Sequence, residues 1–242
     1  GENFWTHKSL AKIIAIITYH FQTRKMLPKL LAILLFPTFC LGATSYNASS
    51  PTFSYEGRWD TTSSATSYRS DWPCARVTFG VEGEGEIKVH WKGLRVRLNA
   101  TVWDEDGAIV GSSLVRGERF GRALKEEVTV VNIPAGGKTV TIRRLTEGAN
   151  FGAGIGMKLL TSSMWEFQRI ESENVVLSLA SPRKYSIEYI GASDTAGYCV
   201  DGTPEITGAA LYLNGWEYDN CDAATPALLG YRFNTNVHVA AE

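Results

Sequence analysis

The residues best suited to chemistry in this chain lie between Ile187 and Tyr198. A short apolar run, Ile187–Ile190, leads directly into residues 191–197, Gly-Ala-Ser-Asp-Thr-Ala-Gly. This pattern is typical of a strand that ends in a tight turn, and its glycines leave room for a substrate beside the serine. A serine hydroxyl there can act as a nucleophile if a base takes its proton and amides hold the oxyanion. The pattern makes Ser193 the candidate catalytic residue.

The sequence supplies no convincing base for this serine. His90 lies on the polar side of a predicted strand, and His238 lies inside a later apolar stretch, where a packed or edge histidine is expected. Asp194 and Asp201 are expected to be turn residues rather than the acid that orients a catalytic histidine. With a strand-borne serine and no base, these 242 residues look like the front part of an esterase with the rest missing, and we expect them to be inactive by themselves.

The N-terminus has the features of a secretory signal. Residues 1–25 precede the first methionine and are expected to be upstream translation rather than structure. In residues 26–42 a short basic start precedes an apolar core and then small residues, which favours a signal peptide and a secreted, extracellular protein. That core is shorter than the about 20 residues of a membrane span. A membrane anchor over Leu10–Phe39 is the alternative, although polar and charged residues interrupt it.

Composition limits the partners of the mature chain. The formal net charge is −1 and no basic stripe is present, so a nucleic-acid partner is not expected. The histidines are isolated and the cysteines are not paired at metal-ligand spacing, so we predict no metal and no cofactor. After signal removal no membrane partner is expected either. Two glycosylation motifs, at Asn47 and Asn99, agree with secretion.

Three cysteines remain after the signal segment: Cys74, Cys199 and Cys221. The last two flank a polar loop rich in glycine, aspartate and asparagine, so we predict a disulfide between Cys199 and Cys221 that closes this loop beside Ser193. Cys74 is then left over. It could be buried as a small hydrophobic residue, or it could pair with a residue in the missing part of the protein.

From residue 53 to about residue 160, within a domain predicted over residues 43–180, the sequence carries a pattern of period two. Apolar residues alternate in short runs such as Val77 to Val81 and Ile87 to Trp91, and turn residues bound each run. Such runs predict an antiparallel β-sandwich, here a jelly roll. The intervening polar residues, among them Arg95 and Arg97, are expected on a solvated face.

Residues 181–242 follow a different pattern. After the strand and serine turn, residues 223–233 carry a short helical pattern, and residues 237–240 read as another strand. Strand, loop, helix and strand form the opening unit of a parallel α/β sheet.

Together these segments resemble the two-domain carbohydrate esterases of family 2, in which a jelly-roll β-sandwich precedes a three-layer α/β hydrolase domain of the SGNH (GDSL) type. The resemblance is carried in order by residues 55–58, 72–79, 102–107, 139–147 and 187–198. It implies a secreted esterase that removes acetyl groups from an acetylated polysaccharide or oligosaccharide, such as acetylxylan. Ser193 would be its nucleophile and first oxyanion amide donor.

One residue departs from the family pattern, because Ala192 stands where aspartate usually precedes the nucleophile. The alternative function is a catalytically inactive, truncated relative that binds carbohydrate or serves as a packing module.

Overall fold

The computed structural model describes residues 42–117, 124–146, 163–198, 200–202 and 215–241. They belong to one compact unit that starts at residue 41. Most of the regular secondary structure among these residues is antiparallel strand, and helices are few. None of the described helices has the length and apolar character needed to cross a bilayer. The predicted signal segment and Cys199 lie outside the described residues.

Two antiparallel sheets dominate the structure. The five-stranded sheet contains β1 (Thr44–Asn47), β3 (Tyr68–Ser70), β5 (Gly85–Leu94), β8 (Lys125–Ile133) and β10 (Met164–Ser172), in the order β1-β10-β5-β8 with β3 also paired to β10. The six-stranded sheet contains β2 (Ser54–Glu56), β4 (Arg76–Glu82), β6 (Arg97–Trp103), β7 (Ile109–Arg116), β9 (Thr139–Arg144) and β11 (Val176–Ser178), in the order β11-β4-β9-β6-β7 with β2 also paired to β4.

The alternating apolar residues of both sheets meet in one core. Val77 and Phe79 of β4 and Trp91 of β5 are fully buried and belong to the same cluster. Phe53 packs between the sheets, with its ring centroid 5.5 Å from Phe79 and 5.2 Å from Phe167. Two sheets that bury their inner faces against each other are consistent with the β-sandwich that the period-two pattern predicts.

The outer faces of the two sheets differ. On the five-stranded sheet Lys88 is exposed and His90 lies 3.1 Å from Glu171, as expected of a polar, partly solvated face. The expectation was wrong for Arg95 and Arg97, which are only 8 % and 3 % exposed. Arg95 lies in the tight turn between β5 and β6. Arg97 is buried because Asp201 and Asp219, in the C-terminal segment (residues 181–242), cover the outer face of the six-stranded sheet there.

The C-terminal segment forms the predicted strand, helix and strand. Strands β12 (Ser186–Gly191) and β13 (Asn236–Ala241) pair in parallel, from Ser186 opposite Asn236 to Gly191 opposite Ala241. Between them lie a short helix α1 (Ser193–Ala196), two 3₁₀ turns (Gly215–Glu217 and Cys221–Ala223) and helix α2 (Thr225–Phe233). The division into domains at residues 43–180 and 181–242 stays a prediction.

Candidate active site

Ser193 is the first residue of α1 and follows β12 by two positions. Because β12 and β13 are parallel and pair as far as Gly191 and Ala241, Ser193 lies at the carboxyl edge of their sheet. Ligands of parallel α/β sheets bind at that edge. A Cβ atom at Gly191 would lie 2.1 Å from the Thr195 hydroxyl oxygen, so glycine is needed where the strand enters the turn. The backbone has the predicted form, and the catalytic role of Ser193 stays a prediction.

Gly197 follows helix α1 with a backbone conformation that residues with a side chain rarely adopt. Its φ angle is +88°, and a Cβ atom there would lie 2.3 Å from the carbonyl oxygen of Asn220. The Asn220 N–H donates to the Gly197 carbonyl over 2.8 Å. The serine turn therefore rests directly on the backbone at residues 220–221.

The disulfide in the structure joins Cys221 to Cys74, not to Cys199. The predicted pairing was wrong because Cys74, which precedes β4 in the sandwich, lies 5.6 Å from Cys221 between Cα atoms despite a sequence separation of 147. The two cysteines pack with Ala196, the last residue of α1, and with the buried side of β13. The bond thus links the sandwich to the support of the serine turn, rather than closing one polar loop.

Side chains of the sandwich also hold the loop that follows the serine turn. Arg97 donates to the Asp219 carbonyl over 2.7 Å and to the Asp201 carboxylate over 2.8 Å. Asp201 in turn accepts a bond of 2.9 Å from the Asn220 side chain. The Trp72 indole N–H donates to the Val239 carbonyl in β13 over 2.7 Å. The expectation that Asp201 is a loop residue fits these bonds.

A buried ion pair fixes the same segment to the six-stranded sheet. The Arg143 guanidinium, on β9, contacts the Asp222 carboxylate and lies 2.6 Å from the Tyr231 hydroxyl of α2. Burial raises the pKa of Tyr231, so its hydroxyl stays protonated and donates to Asp222. Burial alone would lower the pKa of Arg143, but Asp222 and Tyr231 more than offset this and the pKa rises.

Neither described histidine lies at the serine turn. His90 is on the outer face of the five-stranded sheet beside Glu171. His238 is in the middle of β13, opposite Glu188 in the register, with its Nε2 atom 3.7 Å from that carboxylate. This position is three residues, or about 10 Å of strand, before the carboxyl edge. The described part of the chain also holds no group of three metal-binding side chains.

The two glycosylation motifs differ in accessibility. Asn47 is exposed at the end of β1. Asn99 lies on the covered face of β6, where its amide nitrogen donates to Asp222 over 2.7 Å. A glycan would have to take that same nitrogen, so the structure makes Asn99 a poor acceptor.

Sequence reasoning missed the role of Cys74, Arg97 and Arg143 in supporting this site. The odd number of cysteines was the one available signal for Cys74. Arg97 stands between two apolar residues and Arg143 follows one, as polar residues on a solvated strand face do, so nothing local showed that a distant segment covers them.

No protein-family model matches the chain, and a search of curated proteins gives no match. Solved structures do match. A family two carbohydrate esterase from Cellvibrio japonicus superposes with a TM-score of 0.62 and 12 % identity over 83 % of this chain and 52 % of that one. A family two carbohydrate esterase from Clostridium thermocellum, in complex with cellohexaose, gives 0.56 and 19 % over 78 % and 50 %.

An acetyl xylan esterase from the rumen bacterium Butyrivibrio proteoclasticus gives a TM-score of 0.58 and 13 % identity over 83 % of this chain and 49 % of that one. At these identities the comparisons show the fold, and they support the resemblance to family 2 carbohydrate esterases at that level. The chain spans about half the length of these structures. The assignment of residues 181–242 to an SGNH domain stays a prediction.

Proposed function

We propose that this protein is a carbohydrate esterase that removes acetyl groups from polysaccharide, with Ser193 as its nucleophile. One observation carries the proposal: Ser193 begins a helix directly after a parallel strand, at the carboxyl edge of the sheet. The fold around it is shared with family two carbohydrate esterases. In this proposal residues 181–242 begin an SGNH-type hydrolase domain.

The reaction follows from serine chemistry. The Ser193 oxygen bonds to the acetyl carbonyl carbon while a histidine takes the hydroxyl proton, and the carbonyl electron pair moves onto oxygen. The Ser193 backbone N–H is one donor to that oxyanion. Collapse of the intermediate expels the sugar oxygen, which receives the proton. Water then attacks the acetyl-serine by the same route and releases acetate.

The base is expected from outside the described residues, because His90 and His238 pair with carboxylates away from the serine turn. A serine hydroxyl needs a base within about 2.6–3.2 Å to become a strong nucleophile. We therefore expect the 242 residues alone to hydrolyse an acetyl ester barely above background, and a longer chain that supplies the histidine to be active.

The test is acetate release from acetylated xylan by such a longer chain. Ser193→Ala should lower kcat by about 10³-fold or more, because removing a nucleophile leaves only residual catalysis. Ser186→Ala is the matched control, since this exposed serine lies at the opposite end of β12 and should keep full activity. An enzyme indifferent to Ser193→Ala, or rapid turnover by the 242 residues alone, would contradict the proposal.

Secretion is part of the same proposal. Disulfides form and persist in oxidising compartments, so the Cys74–Cys221 bond agrees with a signal peptide at residues 26–42. N-terminal sequencing of secreted protein should then begin near residue 43. A mature chain that kept the apolar residues 30–39 would refute the signal peptide.

A further inference from the structure

A groove lies at the amino end of β12, away from Ser193. This groove of about 640 Å³ runs between the outer face of the six-stranded sheet and the residues that precede β12. Its lining includes Asn236, which pairs with Ser186 at the amino end of the parallel strands. Strand β12 alone places about 16 Å between this end and the serine turn. The groove is therefore separate from the proposed catalytic site, and its volume is typical of small-molecule sites.

Two guanidinium groups, those of Arg76 and Arg183, line the floor of the groove, and Arg143 lies behind them, close enough to repel both. Arg76 forms an ion pair with Glu56, and Arg143 forms one with Asp222. Arg183 has no carboxylate within ion-pair distance among the described residues, and its Nη1 atom donates to the Thr235 carbonyl over 2.8 Å. The cluster thus holds one positive charge more than negative. A half-buried charge without a counter-charge is costly, and a bound anion would remove that cost.

Hydrogen-bond donors are also left over. Arg76 is 3 % exposed, and its buried Nε atom has no partner. Only one bond is described for the guanidinium of Arg183, although that group carries five N–H donors. Burial, and then repulsion by Arg143, lowers the pKa of Arg76 to about 10 despite the attraction of Glu56. Arg143 and Arg183 both oppose the positive charge of Arg76, and the unused N–H donors at the floor suit a negative ligand.

The rim of the groove is mixed in charge. Asp104, Glu105 and Asp106 line it on the sandwich side, and Lys184 and Arg232 line it on the other. All but Asp104 are exposed, so salt screens their influence over about 8–10 Å. The hydroxyl groups of Thr78 on β4 and Thr139 on β9 also line the groove. Carboxylates at a rim can accept hydrogen bonds from sugar hydroxyls, and threonine hydroxyls can both accept and donate them.

We infer that this groove anchors a sugar carboxylate, namely a hexuronic acid residue of the polysaccharide. Arg183 holds the carboxylate through two N–H donors of its planar fork, and the rim residues bind the ring hydroxyls. The sugar part of this assignment rests on the proposed function. The groove then retains acidic polysaccharide without taking part in acetyl hydrolysis.

Calorimetric titration of the Ser193→Ala chain tests the site without interference from turnover. The probes are a xylo-oligosaccharide that carries a glucuronic acid branch and the same oligosaccharide without the branch. We expect the acidic sugar to bind about tenfold more tightly or better, because hydrogen bonds to a charged group contribute about 1.5–3 kcal/mol. Its affinity should fall as salt rises, and that of the neutral sugar should not.

Arg183→Gln should reduce the acidic sugar to the affinity of the neutral one, and Arg183→Lys should retain part of the preference. Arg169→Gln is the matched control. This partly exposed arginine pairs with Glu171 on the five-stranded sheet, which does not line the groove, so its replacement should leave binding unchanged. Circular dichroism checks that each variant is folded.

Equal binding of both sugars, no binding of either, or no effect of Arg183→Gln would overturn the site. Displacement by sodium sulfate as readily as by free glucuronate would show a simple oxyanion site and overturn the sugar assignment. Binding and esterase activity are measured in separate experiments, so the two proposals can fail separately. If the acidic sugar does not bind but Ser193-dependent esterase activity is found, only the groove assignment is refuted. If the acidic sugar binds but no such esterase activity is found, only the proposed function is refuted.

Discussion

Replacing Asp222 with alanine should destabilise the protein far more than an ordinary surface substitution. The side chain of Arg143 is 5 % exposed and that of Asp222 is 16 % exposed, so the alanine leaves a buried guanidinium without its counter-charge. Asn99 and Tyr231 lose their acceptor at the same time. Breaking a buried pair by removing one partner costs about 3–5 kcal/mol, against about 0–1 kcal/mol for an exposed pair.

Urea unfolding, followed by circular dichroism and tryptophan fluorescence, measures the change in the free energy of unfolding. The matched control is Glu171→Ala, which breaks the more exposed Arg169–Glu171 pair and should cost within about 1 kcal/mol. Replacing Arg143 and Asp222 together by methionine and leucine should recover part of the loss, since the guanidinium is then no longer left without its counter-charge, while Asn99 and Tyr231 still lack their acceptor. If Asp222→Ala costs no more than Glu171→Ala, the segment does not bury this pair in solution.

Three further predictions concern the support of the serine turn and its surroundings. Gly197→Ala should cost more stability than Gly107→Ala, because both glycines have positive φ but only at position 197 would a Cβ atom collide with backbone; thermal unfolding of both variants checks this. Replacing Cys74 and Cys221 by serine should cost up to about 5 kcal/mol in the chain-entropy model, and peptide mapping of oxidised protein should find these two residues joined. In protein from a glycosylating host, mass spectrometry should find Asn99 unmodified, and an occupied site there would mean that the C-terminal segment is displaced from β6.

The parts of the fold that depend on local pattern could be predicted. Alternation of apolar residues placed Val77, Phe79 and Trp91 in the core, because a strand that buries one face repeats every two residues. A proline compatible with the first turn of a helix marked α2, and the apolar run before the glycine marked β12. These signals lie within a few residues of the elements they specify.

The parts that depend on distant partners could not be predicted. Arg97 reads as a solvated strand residue until Asp201 and Asp219 are known to cover it. Cys221 is nearer in sequence to Cys199 than to Cys74, and sequence proximity pointed to the wrong bond. The groove at Arg183 is lined by residues of the six-stranded sheet and by residues of the C-terminal segment, so no single stretch of sequence predicts it.

Because the disulfide joins residues far apart in sequence, it can form only late in the synthesis of these residues. A ribosome that adds about 5–20 residues per second needs about 7–30 s to pass from Cys74 to Cys221. Strands β4 to β11 of the sandwich are synthesised in that interval, during which the Cys74 thiol is free. Cys199 is made before Cys221, so in an oxidising compartment it can react with Cys74 first. If that non-native bond forms, the Cys221 thiolate has to displace Cys199 from Cys74 by thiol–disulfide exchange before the serine turn gains its support.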